Sequence, residues 1–186
     1  MLLTPVILAL WPSVAGPSLA KDPGFVDPQV DSVRLGDAAS GKAFVLRFNG
    51  KGFEPSVSLW AFRYLNAAKT EVLDLIMFPG SVAYEFTWVA LRRPRAAEPS
   101  ATPIPGCKSF SSARGIHLGL SVEEVIALLG APQKRTHQGT GQTLVYRCTS
   151  PTLCPILREV NMPEYEGNYV FRDGILVNCE WGYPYP

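Results

Sequence analysis

The side chains able to do chemistry by type and spacing are few: four cysteines, two histidines and one short acidic stretch. Zinc sites built on cysteine usually start from closely spaced pairs, whereas here Cys148 and Cys154 have five residues between them and Cys107 and Cys179 are distant. An even number of cysteines in an exported chain favours disulfides. The expected pairing is Cys148–Cys154, around Pro151, together with Cys107–Cys179, tying the start of the C-terminal region to its last strand. His117 lies between Ile116 and Leu118, and His137 lies in a polar stretch. Neither has the second histidine four residues away that a metalloprotease helix needs, and no serine stands in a nucleophile elbow. Gly50-Lys51-Gly52 reads as a hairpin turn and not as a phosphate loop. Glu164, Tyr165 and Glu166 sit between Pro163 and Gly167 and are expected as an exposed loop, with Tyr165 as a possible binding anchor. The expectation is a protein with no catalytic residues, no cofactor and no metal.

The elements that position these residues begin with an uncharged leader. Residues 1–20 carry no charged side chain and end in Ser18-Leu19-Ala20, just before Lys21 and Asp22. The apolar block 6–11 is far shorter than the roughly 20 residues that span a bilayer. The reading is a secretory signal peptide, with no integral membrane segment in the mature chain and a periplasmic or secreted location. Lys+Arg number 17 against 16 Asp+Glu, a net charge of +1. That lacks the basic surplus of a general nucleic-acid binder, and 47% hydrophobic content argues against disorder.

Residues 25–95 read as a β-rich domain, with expected strands at 42–49, 56–65, 71–78 and 82–91. Trp60, Phe62 and Tyr64, and likewise Tyr84, Phe86 and Trp88, alternate as core-facing stripes. Residues 96–106 belong to a Pro-rich stretch expected as a linker. Residues 107–186 form a second unit. Ser121 and Glu124 make a capping box for a helix that ends at Gly130 and Pro132. Asp173-Gly174 marks a two-residue hairpin. No internal repeat stands out. The expected fold is α+β: an N-terminal antiparallel β-sandwich-like domain, then a small α+β domain with a helix packed on an antiparallel sheet.

The run from Gly115 to Pro132, GIHLGLSVEEVIALLGAP, resembles the opening of the SmpA/OmlA family. Leu118, Gly119 and Ser121 match its apolar-Gly-small-polar start, and Leu129-Gly130-Ala131-Pro132 matches its Leu-Gly-x-Pro. Leu144-Val145-Tyr146 and the stretch from Tyr169 to Gly174 are similar to its later strands. The resemblance covers residues 115–181 only. It implies an envelope-located protein-binding module, with Gly119, Gly130 and Pro132 as fold markers. The same layout is similar to secreted β-lactamase-inhibitor-like proteins, which implies the alternative of an enzyme inhibitor acting through loops at 149–155 and 161–167. The function expected is therefore non-catalytic binding of a protein partner in envelope assembly or maintenance.

Overall fold

The computed structural model describes residues 22–55, 60–78, 80–95 and 101–184, with backbone alone for Glu54 and Pro55. The expected signal peptide and residues 96–100 of the linker lie outside the described residues. In chain order the elements are β1 Gln29–Val30, β2 Val33–Arg34, α1 Ala38–Arg47, β3 Phe53–Pro55, β4 Trp60–Leu65, β5 Val72–Met77, β6 Trp88–Arg92 and β7 Thr102–Pro103. There follow α2 Val122–Leu129, β8 Lys134–Gln138, β9 Gly141–Cys148, α3 Ile156–Glu159, β10 Tyr165–Arg172 and β11 Ile175–Gly182.

The expected sandwich-plus-small-domain architecture is overturned. One mixed sheet runs through both halves in the order β3-β4-β5-β6-β11-β10-β9-β8, with β7 added parallel to β4. The edge of the first half is not left open or folded onto a second sheet. β6 pairs antiparallel with β11, placing Leu91 opposite Cys179 and Val89 opposite Trp181. The chain beyond residue 100 also returns to the first half: Thr102 lies beside Tyr64, and the Ile104 N–H donates to the Leu65 carbonyl at 2.8 Å.

Each half is a helix followed by four antiparallel strands, and the strand order is palindromic about the β6–β11 seam. The chain therefore does contain an internal repeat. Its sequence trace is small: Val33-Arg34-Leu35-Gly36 before α1, and Ile116-His117-Leu118-Gly119 before α2. Both glycines are left-handed, with φ of 78° and 96°. Both N–H groups donate to the last strand of their own half or to the chain leading into it, Gly36 to the Phe86 carbonyl, two residues before β6, at 2.8 Å and Gly119 to the Leu176 carbonyl at 2.9 Å. A capped helix follows each: Asp37 accepts from the Ala39 N–H, and Ser121 with Glu124 completes the expected capping box.

Two expected strands take other forms. Residues 42–49 belong largely to α1, because Gly41, Phe44, Val45 and Phe48 recur at helical spacing and the first three are buried. That apolar face outweighs the strand preference of the individual residues. Residues 82–91 do not alternate throughout. Tyr84 is left-handed, with φ of 68°, and β6 begins only at Trp88. Phe86 thus enters the core while Trp88 turns to the other face.

The core lies on one side of the sheet. Phe62, Tyr64, Leu73, Leu75, Val89, Leu91, Cys179, Trp181, Tyr169, Leu144 and Tyr146 pack with residues from both longer helices, from α3 and from the β1–β2 hairpin. Strand alternation sends the intervening residues to the opposite side. Among the described residues, no helix is long and apolar enough to cross a membrane.

Candidate interaction surface

The side of the sheet away from the helices divides into a closed part and an open part. On β4, β5 and β6, the Asp74 carboxylate bridges two guanidiniums, Arg63 Nε at 2.6 Å and Arg92 Nε at 2.9 Å. Asp74 itself is 5% exposed, and Val72 and Leu65 beside it are buried. Across β6, β11, β10 and β9 the face opens. It presents Trp88, Asn178, Glu180, Glu166, Asn168, Val170 and Val145, all half-buried, and the exposed Arg147.

Trp88 and Glu180 sit diagonally across the β6–β11 seam, since Trp88 lies opposite Gly182 and Ala90 opposite Glu180. The indole N–H of Trp88 is the donor on the side facing the Glu180 carboxylate. Burial raises the pKa of Glu180 above the ordinary carboxylate value, the nearby indole opposes that rise, and Glu166 adds to it. The face therefore carries an aromatic side chain beside an acid at the centre of the repeat.

Of the residues expected to form a binding loop, only the acids are near this face. Glu164 and Glu166 both pair with Arg147, Glu166 at 3.8 Å, and Glu166 accepts from Asn168 Nδ2 at 2.8 Å. Tyr165 is a correction. It belongs to β10, is 0% exposed, and its hydroxyl accepts the Asp27 N–H at 3.0 Å inside the core. Alternation along β10 sends Tyr165, Gly167 and Tyr169 inward and the acids outward. Sequence reading places Trp88 in a core-facing stripe, which the structure corrects, and does not single out Glu180. Their signal is the short alternation of buried Val89 and Leu91 with Trp88 and Ala90, and of Cys179 and Trp181 with Glu180.

All four cysteines are free thiols in this structure. The expected Cys107–Cys179 bridge is incompatible with the sheet order. The Cys107 carbonyl accepts the Ala67 N–H on the β7 side of β4, so four strand spacings separate it from β11, about 19 Å on a flat sheet. A disulfide needs Cα atoms within about 7 Å. Cys148 and Cys154, in contrast, lie close enough for the Cys148 thiol to act on that of Cys154.

Clefts elsewhere among the described residues include these two. One of about 620 Å³ between α1 and residues 104–110 is lined by Asp31, Arg47, Cys107 and Lys108 over Phe44 and Phe110. Burial pushes the Asp31 carboxyl up to about 6, against the pull of Arg47. The other, about 350 Å³ and apolar, is lined by Phe53, Trp60, Phe62, Met77 and Tyr84. The histidines are apart: His117 Nδ1 lies 2.9 Å from the Leu118 carbonyl, and His137 is exposed on β8. Among the described residues, no cluster of three or more His, Cys, Asp or Glu could hold a metal ion.

Comparison with known proteins adds little. No family model matches the chain. No curated protein matches it either. Among solved structures, the chain is similar to an extracellular protein containing a SCP domain from Bacillus anthracis str. Ames, at 9% identity and a TM-score of 0.39. That match covers 95% of this chain, which spans about half (50%) of the other.

Proposed function

We propose that this protein is an exported, non-catalytic binding module that docks a protein partner on the open face of its sheet. The observation that carries this reading is Trp88. Its indole lies beside Glu180 at the centre of the repeat, on the side away from the core, in surroundings that mix apolar and polar groups. Tryptophan is enriched at binding hot spots, and such residues cluster near interface centres. The open part covers four strands, about 19 Å across, whose longer members run eight residues, so it supplies a substantial part of the roughly 800 Å² per partner of a standard interface. Glu166 and Glu180 on the face disfavour a nucleic-acid partner, whose phosphates call for a basic surface. The uncharged leader supports export, and the resemblance of residues 115–181 to the SmpA/OmlA family supports a role in envelope assembly or maintenance.

The test is site-specific photo-crosslinking in envelope extract. A photoreactive residue at position 168, on the open face, is expected to capture one defined protein. The same residue at position 46, exposed on α1, is expected to capture none. Trp88→Ala should weaken capture from position 168 at least tenfold. Equal capture from both positions, or capture unaffected by Trp88→Ala, rejects the reading.

A further inference from the structure

We infer that Cys148 and Cys154 are a selective oxidation site: a low-molecular-weight disulfide converts them to an intrachain disulfide, while Cys107 and Cys179 remain thiols. The geometry begins with the turn between them. The Leu153 and Cys154 N–H groups both donate to the Ser150 carbonyl, at 3.1 and 2.9 Å, so the chain reverses just after β9. The reversal returns Cys154 towards Cys148 at the end of β9, close enough for the Cys148 thiol to act on that of Cys154. Both belong to the core cluster, with 6% and 0% exposure, in a setting that fixes their relative position.

The sheet imposes the selectivity. Cys179 on β11 faces the core between Leu91 and Tyr169, and Cys107 lies on the far side of β4. Neither has a second cysteine within bridging distance by the strand order. Cys107 Sγ instead donates to the Ser109 carbonyl at 3.6 Å.

The chemistry is two thiol–disulfide exchanges. One thiolate attacks the small disulfide, forming a mixed disulfide and releasing one small thiolate. The second protein thiolate then attacks the mixed linkage and releases the other. One S–S bond forms in the protein and one breaks in the oxidant. The two cysteines are oxidised by two electrons, and their two protons end on the released thiols or in solvent. Burial, then Cys148, raises the Cys154 pKa far above its ordinary 9.0. The exchange should therefore speed up as pH rises, since the thiolate is the nucleophile.

The bridge closes a short loop directly before α3. That helix places Ile156 and Leu157 in the core, and the Ile156 N–H donates to Asp22 Oδ1 at 3.0 Å. Closure thus anchors the entry of α3 to the end of β9. The inference is independent of the proposed sheet-face partner.

The experiment incubates the folded full chain with oxidised glutathione, quenches in acid, alkylates in denaturant and digests with trypsin. Cleavage after Arg147 and Arg158 releases both cysteines in one peptide. That peptide should lack two hydrogens and carry no alkyl group, while the Cys107 and Cys179 peptides are alkylated. The oxidised protein should also melt about 5 °C higher than the reduced one, a difference absent in Cys154→Ala. Alkylation or glutathionylation of the 148–158 peptide, or its linkage to Cys107 or Cys179, would overturn the inference.

Discussion

Trp88 stands diagonally beside Glu180 across the seam where the two halves of the sheet join, and its indole favours the charged form of that carboxylate. The pair stands on the side away from the helices, so it adds nothing to the main hydrophobic core. It sets a large aromatic surface beside an acid that is partly out of water. Both effects come from β6 meeting β11 in the middle of one sheet, a pairing that two separate domains would not make.

The first consequence is a pH dependence of stability. The pKa of Glu180 in the folded protein lies above its ordinary 4.5, so the folded state holds the proton more tightly than the unfolded chain. Its contribution is fully present below about 4.5 and is lost as pH rises through the folded value. Glu180→Gln keeps an acceptor for the indole and removes this titration. Urea unfolding of the variant should lack this component of the decline, and its stability near neutral pH should equal or exceed that of the parent.

Asp74 tests the closed part of the same face. It is the shared acceptor of Arg63 and Arg92, whose side chains are only 19% and 11% exposed. Removing one partner of a largely buried ionic group leaves the other charges poorly compensated. Asp74→Ala should lower unfolding free energy by about 3 kcal/mol, measured by urea denaturation. A cost below about 1 kcal/mol would place the cluster with ordinary surface ion pairs.

Much of the C-terminal half was legible because its signals are local. Ser121 and Glu124 cap α2 by a fixed spacing, and Asp173 and Gly174 both take the left-handed conformation that their hairpin needs. The N-terminal half was harder. Phe44 and Val45 favour strands as residue types, and only their position relative to Gly41 and Phe48 marks a helix. The repeat was hidden because the halves share little beyond the Leu-Gly step and the helix cap, both backbone devices that constrain few side chains. The sheet face was read less well: the seam between β6 and β11 joins residues almost 90 positions apart, and no local pattern encodes it. Tyr165 was misassigned because its acidic neighbours suggest exposure, whereas in a strand they alternate with a buried ring.

Tyr165 carries its own prediction. Its hydroxyl accepts the backbone N–H of Asp27, a residue 1% exposed, and burial raises the phenol's pKa well above the ordinary range. Tyr165→Phe preserves the ring and leaves that N–H without its acceptor. An unmet buried donor costs about 1–3 kcal/mol, and the urea midpoint should fall accordingly. Glu164→Gln, which alters an acid paired with the exposed Arg147, should change stability by less than about 0.5 kcal/mol.

Gly41 sets a helix preference against a packing constraint. In an ordinary helix interior, Gly→Ala stabilises by about 1 kcal/mol. In α1 a Cβ on Gly41 would lie 2.1 Å from the Tyr84 carbonyl oxygen and 2.9 Å from the Phe86 ring. The backbone at Tyr84 is already left-handed, and Phe86 is fully buried, so neither neighbour has an easy way to withdraw. Overpacking should outweigh the gain in propensity, and Gly41→Ala should destabilise the protein by about 2 kcal/mol net. Lys42→Ala, one position on and exposed, should stay within about 0.5 kcal/mol of the parent. Thermal unfolding of the two variants side by side decides the matter. A Gly41→Ala protein as stable as the parent would show that α1 can move off the turn before β6.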